Sequence, residues 1–395
     1  MSDTDAIETG GQQGGGRAGD GTRGDGARAV HGFGIVGAGV IAATHAEAIA
    51  AIPGARLVAV TDVVPERAAA FARARGCAAE PDLATLLARD DIDVVSVCVP
   101  SGRHAEVGVP IAAAGKSLVV EKPIDVTLAA ADRLIDAVAS AGVAMTVISQ
   151  HRFDPGLIEL RRLADTGALG RLVLGEAATK WYRSQGYYDS ADWRGTWALD
   201  GGALMNQGIH YADLLRWIMG PVTEVTAMSA TEDHDMEAED VSLALLRFAS
   251  GAVGTITSST VVFPGFAQRL EVSGTNGTVV IEDGQLSYEG LRAEVADPGL
   301  RGYRAAVGAS PAGAAANAAD LGISSHIAQI ADLLAAIDEK RDPLVTAADG
   351  RQTLELINAV YESARTGLTV LLPAGAGAGA DAGGDAAAPR GSAGQ

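Results

Sequence analysis

Cysteine is scarce in this chain: Cys77 and Cys98 are its two examples. Two thiols cannot form a disulfide framework, nor do they supply the paired spacing that holds a metal ion, so no metal site is expected. Cys98 lies inside an apolar run, where a free thiol behaves as a small hydrophobe. Aromatic residues are also few, at 4%, while alanine and glycine abound, a balance that fits an α/β protein better than an all-β sandwich. Positive charge is in short supply, with 30 Lys and Arg against 49 Asp and Glu and a formal net charge of −19. Such a surface repels phosphate backbones and anionic lipid head groups, so neither nucleic acid nor a membrane is an expected partner. The total does not exclude a local basic pocket for an anionic substrate. No stretch is long and apolar enough to span a bilayer. The N-terminal segment has neither the apolar core of a secretion signal nor a twin-arginine pair, and the expected location is the cytoplasm.

What is present divides into blocks. A length of 395 residues exceeds one ordinary hydrophobic core and points to two domains. Residues 1–30 and 374–395 are dominated by Gly, Ala, Asp and Arg, which bury too little surface to offset ordering entropy, so both are expected to be disordered tails. In residues 31–150, short apolar runs alternate with Ala-rich helical patterns. Phe33–Val36, Leu57–Thr61, Val94–Val99, Leu118–Val120 and Val143–Ile148 read as buried parallel strands, with Glu66–Arg75 and Leu128–Ala141 as crossover helices. This is the rhythm of an α/β doubly wound parallel sheet.

The rhythm changes in residues 151–373. After a helical Leu157–Thr166 come longer strands rich in Val and Thr: Val173–Trp181, Val222–Ser229, Val241–Phe248, Ala252–Val261 and Arg269–Val272. Asn276-Gly277 suits a type I′ hairpin turn into Thr278–Ile281. Helices Ser324–Asp338 and Gly350–Arg365 close this part. The second domain is expected to be α+β, with a large open, mainly antiparallel sheet of neighbouring strands.

Gly37-Ala38-Gly39-Val40-Ile41-Ala42 follows the first strand and opens a helix. Gly37 permits a tight turn, and Gly39 lets the backbone approach a pyrophosphate at the positive end of the helix dipole. Asp62 ends the second strand, roughly 20 residues on, where a carboxylate accepts adenosine ribose hydroxyls and repels a 2′-phosphate. Gly37, Gly39, Val40, Ile41 and Asp62 therefore read as cofactor-binding, with NAD favoured over NADP, although methyltransferases use a related loop and acid. Ligands of such a sheet lie beyond the carboxyl ends of its strands. Pro100 ends a strand there and leaves Ser101 and His104 beside the nicotinamide position, with an ordinary helix-cap role for His104 as the alternative. Glu121-Lys122-Pro123 ends the next strand. Lys122 there can stabilise an alkoxide, or it is simply a solvated loop lysine. Asn206 and His210 stand four apart on a helix that follows Gly201-Gly202, with Asp213 one turn further on, able to orient the imidazole. His210 suits proton transfer near neutral pH, or it is a satisfied structural histidine.

In this order the motifs resemble the Gfo/Idh/MocA oxidoreductases, and Tyr361–Gly367 resembles the family's closing helix. The resemblance covers about residues 32–373. It implies a Rossmann domain followed by a sheet domain whose exposed face often mediates oligomerisation, here as a homodimer or homotetramer. It also implies NAD as cofactor, Lys122 as the catalytic lysine and His210 as the acid/base. Glu121 and Gln150 would lie beside the cofactor, and Arg152, Trp193, Arg194 and Asn206 beside the substrate. The implied reaction is hydride transfer between a ring CH–OH of a sugar or cyclitol, inositol-like, and nicotinamide. Several cyclitol dehydrogenases of the family carry Asp where this chain has Asn206, and the local sequence resembles the branch that includes UDP-sugar 3-dehydrogenases. That reading needs an anion-binding patch, with Arg194 and Lys180 as its candidates. A ketosugar reductase, an NAD-dependent glycosidase and a non-enzymatic NAD-binding sensor are the remaining alternatives.

Overall fold

A computed structural model describes residues 30–292 and 323–373. The tails expected to be disordered therefore lie outside the described residues, apart from Val30. The first layer is a six-stranded parallel sheet in the order β3-β2-β1-β4-β5-β6. It is built from β1 (His31–Val36), α1 (Val40–Ala51), β2 (Ala55–Thr61), α2 (Pro65–Arg75), β3 (Ala78–Ala79), α3 (Leu83–Leu87), β4 (Val94–Val97), α4 (His104–Ala113), β5 (Ser117–Val120), α5 (Leu128–Ala141) and β6 (Met145–Val147). Every residue of β1 and β4 is buried, as continuous apolar strands covered on both faces must be. α2 starts on Pro65 and ends on Gly76 in the left-handed region, and α5 starts under a Thr127 cap and ends on a left-handed Gly142. Those start and stop residues are why the two crossover helices begin and end where they do.

A 3₁₀ turn, Gln150–Phe153, leads out of β6 into α6 (Pro155–Asp165), β7 (Leu172–Lys180), α7 (Gln185–Tyr188), α8 (Ile209–Met219), β8 (Val222–Ala230), β9 (Val241–Phe248), β10 (Val253–Ser259), β11 (Arg269–Gly274), β12 (Gly277–Glu282), β13 (Gln285–Leu291), α9 (Ser324–Glu339), α10 (Ala347–Thr366) and β14 (Val370–Leu371). The eight strands form one sheet in the order β13-β12-β11-β7-β10-β9-β8-β14. The expectation of antiparallel neighbours holds except at the centre, where β10 runs parallel to β7. Period-2 patterning reports a half-buried strand but not its direction. The two strands are joined by a crossover through α8, β8 and β9, which permits the parallel pairing. α8 and α10 cover one face of this sheet, and α9 crosses back to pack Ile330, Leu333 and Leu334 into the core around α1.

The type I′ turn lies elsewhere than expected. At Asn276-Gly277 neither φ is positive, because Thr275 and Asn276 donate their amides to the carbonyls of Arg171 and Leu169, and this docking shapes the β11–β12 loop. The next hairpin, β12–β13, has Asp283 (φ 45°) and Gly284 (φ 75°) between paired Glu282 and Gln285, the two left-handed residues that a I′ turn needs. Gly284 donates its amide to the Tyr211 hydroxyl (3.2 Å) and its carbonyl accepts from Gly156 (3.2 Å). A Cβ at Gly284 would stand 2.4 Å from Asp154 Oδ2. Gly284→Ala should therefore destabilise the fold by roughly 1–3 kcal/mol, read as a lower urea midpoint at unchanged m-value.

Candidate active site

The carboxyl end of the parallel sheet carries the dinucleotide-binding features. Gly37 has φ 94°, and a Cβ there would stand 2.4 Å from the Cys98 carbonyl, so glycine is required on two counts. Over Gly39, by contrast, a Cβ would meet no atom within 4 Å, and no side chain caps α1. Its first amides, from Val40 and Ile41, are thus left to a ligand or to solvent at the positive end of the dipole. Asp62 clamps the loop from the end of β2, accepting the amides of Ala38 (2.7 Å) and Val64 (2.8 Å), and each oxygen keeps a lone pair for a further donor. Gln150 Oε1 is buried without a hydrogen-bond partner, an acceptor that burial makes costly unless a ligand group donates to it. Open glycine loop, bare helix start, strand-end acid and orphaned amide oxygen together fit a dinucleotide without a 2′-phosphate.

Lys122 is held from both layers. Glu121, expected beside the cofactor, turns its carboxylate inward, with Oε1 2.8 Å from His45 Nε2 on α1 and Oε2 accepting the Lys122 amide at 3.1 Å. Burial would raise the Glu121 carboxyl, but the hydrogen bond and charge of His45 outweigh it and hold the group at about 2. With His326 of α9 the group places two imidazoles and a carboxylate within 4.8 Å of one another. Residues 45, 121 and 326 are too far apart in sequence for any spacing rule to have found them. His104, expected beside the nicotinamide, has a supporting place in the fold. It is buried, and its ring nitrogens lie 2.7 Å from the Pro123 carbonyl and 3.0 Å from the Val99 carbonyl, tying the end of β4 to the Lys-Pro turn. Beside it, Ser101 is buried, and after Pro100 the Gly102 amide bonds to the Leu199 carbonyl of the second domain (3.2 Å). The Lys122 ammonium then donates to the Asn206 carbonyl at 2.7 Å.

His210 meets Lys122 across a small cavity that is also lined by Ile124, Ile148, Ser149, Ile209 and Thr353. It sits in the first turn of α8, just after a short π-helical stretch, Ala203–Gly208, the kind of widened turn often found at functional sites. Burial, then the nearby Lys122, His151 and His326, push the imidazole well below its usual range. Burial also lowers Lys122, against Glu121 and Asp200 and with the help of Arg194 and Arg183. The expected orienting role of Asp213 is corrected. Asp213 accepts two hydrogen bonds from Arg152 (2.7 and 2.6 Å) and one from Thr353 (2.7 Å), and Arg152 also reaches Asp349 at 3.1 Å. Arg152, expected beside the substrate, is thus spent on a buried ion-pair network between the domain junction, α8 and α10. The neighbour of His210 is instead His151, edge-on with ring centroids 5.1 Å apart, its Nδ1 2.6 Å from Asp154 Oδ2.

Beyond the Asn206 contact of Lys122 lies a cluster of polar and aromatic side chains that the sequence shows only in part. The Asn206 side chain is bound to Asp200 and, through Oδ1, to Gln207 (3.0 Å), so its amide is held by the protein rather than turned freely toward a substrate. Trp193 is half-buried under the Arg194 guanidinium, 4.6 Å from its ring, and the same guanidinium lies 4.2 Å over Tyr187. Lys180 is corrected as a partner of Arg194. In β7 the core-facing positions are Gly175, Ala177 and Thr179, so the side chain of exposed Lys180 belongs to the opposite, open face of the sheet. Arg183, just past β7, stands against Tyr187 instead, at 5.6 Å. Asp200, Tyr187, Arg183 and His151 sit in no fixed-spacing motif; the dense Trp, Tyr and Arg content of residues 181–197 is the one signal that could have pointed to part of this cluster.

Two outcomes follow from this geometry. Asp213→Ala leaves the Arg152 charge buried without its main partner and should cost about 3–5 kcal/mol of stability, measurable by denaturant unfolding. The depressed His210 keeps its unprotonated, proton-accepting form as pH falls through the ordinary imidazole range. Titration of the His210 ring followed by NMR should therefore fall below the ordinary imidazole value of 6.5; a transition at or above that value would contradict the environment described here.

Comparison with known proteins agrees with this architecture. Residues 31–149 match the model of an oxidoreductase family with an NAD-binding Rossmann fold, and residues 157–280 that of the GFO/IDH/MocA C-terminal domain. The chain is 32% identical over 244 residues to inositol 2-dehydrogenase of Rhizobium meliloti, a match covering 60% of this chain and 72% of the relative. It is 29% identical over 335 residues to D-apiose dehydrogenase of Paraburkholderia graminis, covering 83% of this chain and 86% of that one. Among solved structures, the WlbA dehydrogenase of Bordetella pertussis, in complex with NADH and UDP-GlcNAcA, superposes with a TM-score of 0.76 at 31% identity, over 87% of this chain and 99% of that one. With both halves matched in sequence and in fold, the chain belongs to the Gfo/Idh/MocA family of NAD-binding oxidoreductases.

Proposed function

We propose that the protein is an NAD-dependent dehydrogenase that oxidises a ring secondary alcohol of a sugar or cyclitol, with Lys122 and His210 as its catalytic residues. The observation that carries this reading is the convergence of the two side chains, one from each domain, on one cavity at the carboxyl end of the parallel sheet. Nicotinamide, when bound, supplies the acceptor for the carbinol hydride. His210, neutral because it is withdrawn from water beside the Lys122 ammonium, takes the hydroxyl proton at an imidazole nitrogen. The Lys122 ammonium, oriented by the Asn206 carbonyl, donates to the substrate oxygen and stabilises the charge that develops there. Gly39, Val40, Ile41, Asp62, Ser101 and Gln150 hold the dinucleotide. The solvent-excluding walls, Ile124, Ile148 and Ile209, keep these charges strong.

A nucleotide sugar or ketosugar is the second substrate reading, favoured by the arginines beside Tyr187 and by the likeness to WlbA. The partner surface fits self-association into a homodimer or homotetramer: Met228, Leu243 and Leu245 are exposed together on the open face of the second sheet, an apolar patch that a second copy would cover. No helix among the described residues is long and apolar enough to cross a membrane, and the proposed site of action is the cytoplasm. Lys122→Ala should lower kcat by about 10²–10³-fold, followed as NADH absorbance across a panel of polyols, free sugars and sugar nucleotides. Near-normal turnover of that variant on the best substrate would remove the central claim.

A further inference from the structure

A cluster of donors lies beyond the Asn206 residue that Lys122 binds. The guanidinium of Arg194 lies 4.2 Å over the Tyr187 ring and 4.6 Å over Trp193, and that of Arg183 lies 5.6 Å from Tyr187 and 4.8 Å over Trp181. Two cations thus flank one phenol ring. The cluster connects to Lys122: the Tyr187 hydroxyl accepts from Arg194 Nη1 (2.7 Å) and Gln207 Nε2 (3.2 Å), Gln207 Nε2 also donates to Asn206 Oδ1 (3.0 Å), and the Asn206 carbonyl accepts from Lys122 (2.7 Å).

The charge balance of this cluster is opposite to that of the protein. Arg194 directs its printed hydrogen bonds to hydroxyls, those of Tyr187 and Ser190, and among the described residues no carboxylate forms an ion pair with it. The nearest acid in the network is Asp200, which accepts from the Gly195 amide (2.8 Å) and the Asn206 side chain. Burial raises its carboxyl, against those hydrogen bonds and the charges of Lys122 and Arg194. Burial lowers Arg183, and the proximity of Arg194 lowers it further. Arg194 spends Nε on Ser190 and Nη1 on Tyr187, which leaves Nη2 for an acceptor on the substrate. Guanidinium groups suit carboxylate and phosphate oxygens, which they bind by planar, charge-assisted hydrogen bonds.

We infer that Arg183 and Arg194 form, around Tyr187, a subsite for an anionic substituent of the substrate, so that the ring alcohol oxidised beside Lys122 belongs to a sugar acid or a sugar phosphate ester rather than to a neutral sugar. The inference rests on the dehydrogenase reading above, and the two can fail separately.

Its test is binding to the full chain loaded with NADH, by calorimetry, with glucuronate, glucose 6-phosphate, glucose and myo-inositol as probes. At least one anion should bind about 10–100-fold more tightly than glucose, the worth of one charge-assisted hydrogen bond, with an advantage that shrinks as salt is added. Which of the two anions wins distinguishes carboxylate from phosphate. R194Q should bring the anion-to-glucose ratio close to one, and R194K should retain part of it. The comparison in the unmutated protein stands even if a variant fails to fold. Equal affinity for charged and neutral probes, no measurable binding of either anion, or a ratio unchanged in R194Q would overturn the subsite. NADH formation from NAD and myo-inositol without any anion preference would sink the subsite and leave the dehydrogenase intact. Anion preference without NADH formation from any of the four probes would do the reverse.

Discussion

A lysine ammonium taken out of water must find acceptors, and in this molecule the acceptor for Lys122 comes from the other domain. Its Nζ donates to the Asn206 carbonyl at 2.7 Å, across a chain separation of 84 residues. That single contact closes the cleft: it brings the π-helical entry to α8 against the Lys-Pro turn and sets His210 on the far side of the same cavity. A charge buried this way is tolerable only where its surroundings are over-determined, and most of the polar groups nearby serve that end.

The supporting groups fall on either side of the turn. From below, Glu121 braces the Lys122 amide and is itself braced by His45, while His104 reaches the Pro123 carbonyl. From the junction, Arg152 binds Asp213 of α8 and Asp349 of α10, so the helix that carries His210 cannot shift without breaking a buried ion pair. Several residues whose type invites a catalytic reading therefore act by position. Polar side chains in an active-site motif are divided between those that touch the substrate and those that aim them, and sequence alone does not say which is which.

The same division explains a strongly acidic protein with a locally basic cleft. Net charge is a property of the whole surface, whereas the field in a cleft is dominated by the few groups its walls bring together. Here those are Lys122, Arg183 and Arg194, with Asp200 between them and the Asn206 amide.

Local order determined what the sequence could state unaided. The glycine loop, the strand-end Asp62, the Glu121-Lys122-Pro123 turn and the His210 helix each depend on neighbours within a few residues, and strand and helix periods 2 and 3.6 are short-range patterns. For that reason the two-layer architecture and the roles proposed for Lys122 and His210 were legible. Tertiary structure alone decided the parallel pairing of β7 with β10, the docking that displaces the I′ turn from Asn276-Gly277 to Asp283-Gly284, and the partners of Arg152, Asp213, His104 and Glu121. It also decided that Arg183, not Lys180, stands with Arg194. Each of these rests on which residue, distant in the chain, packs alongside, and one side chain's hydrogen-bond demand can be met by many such neighbours until the fold selects one.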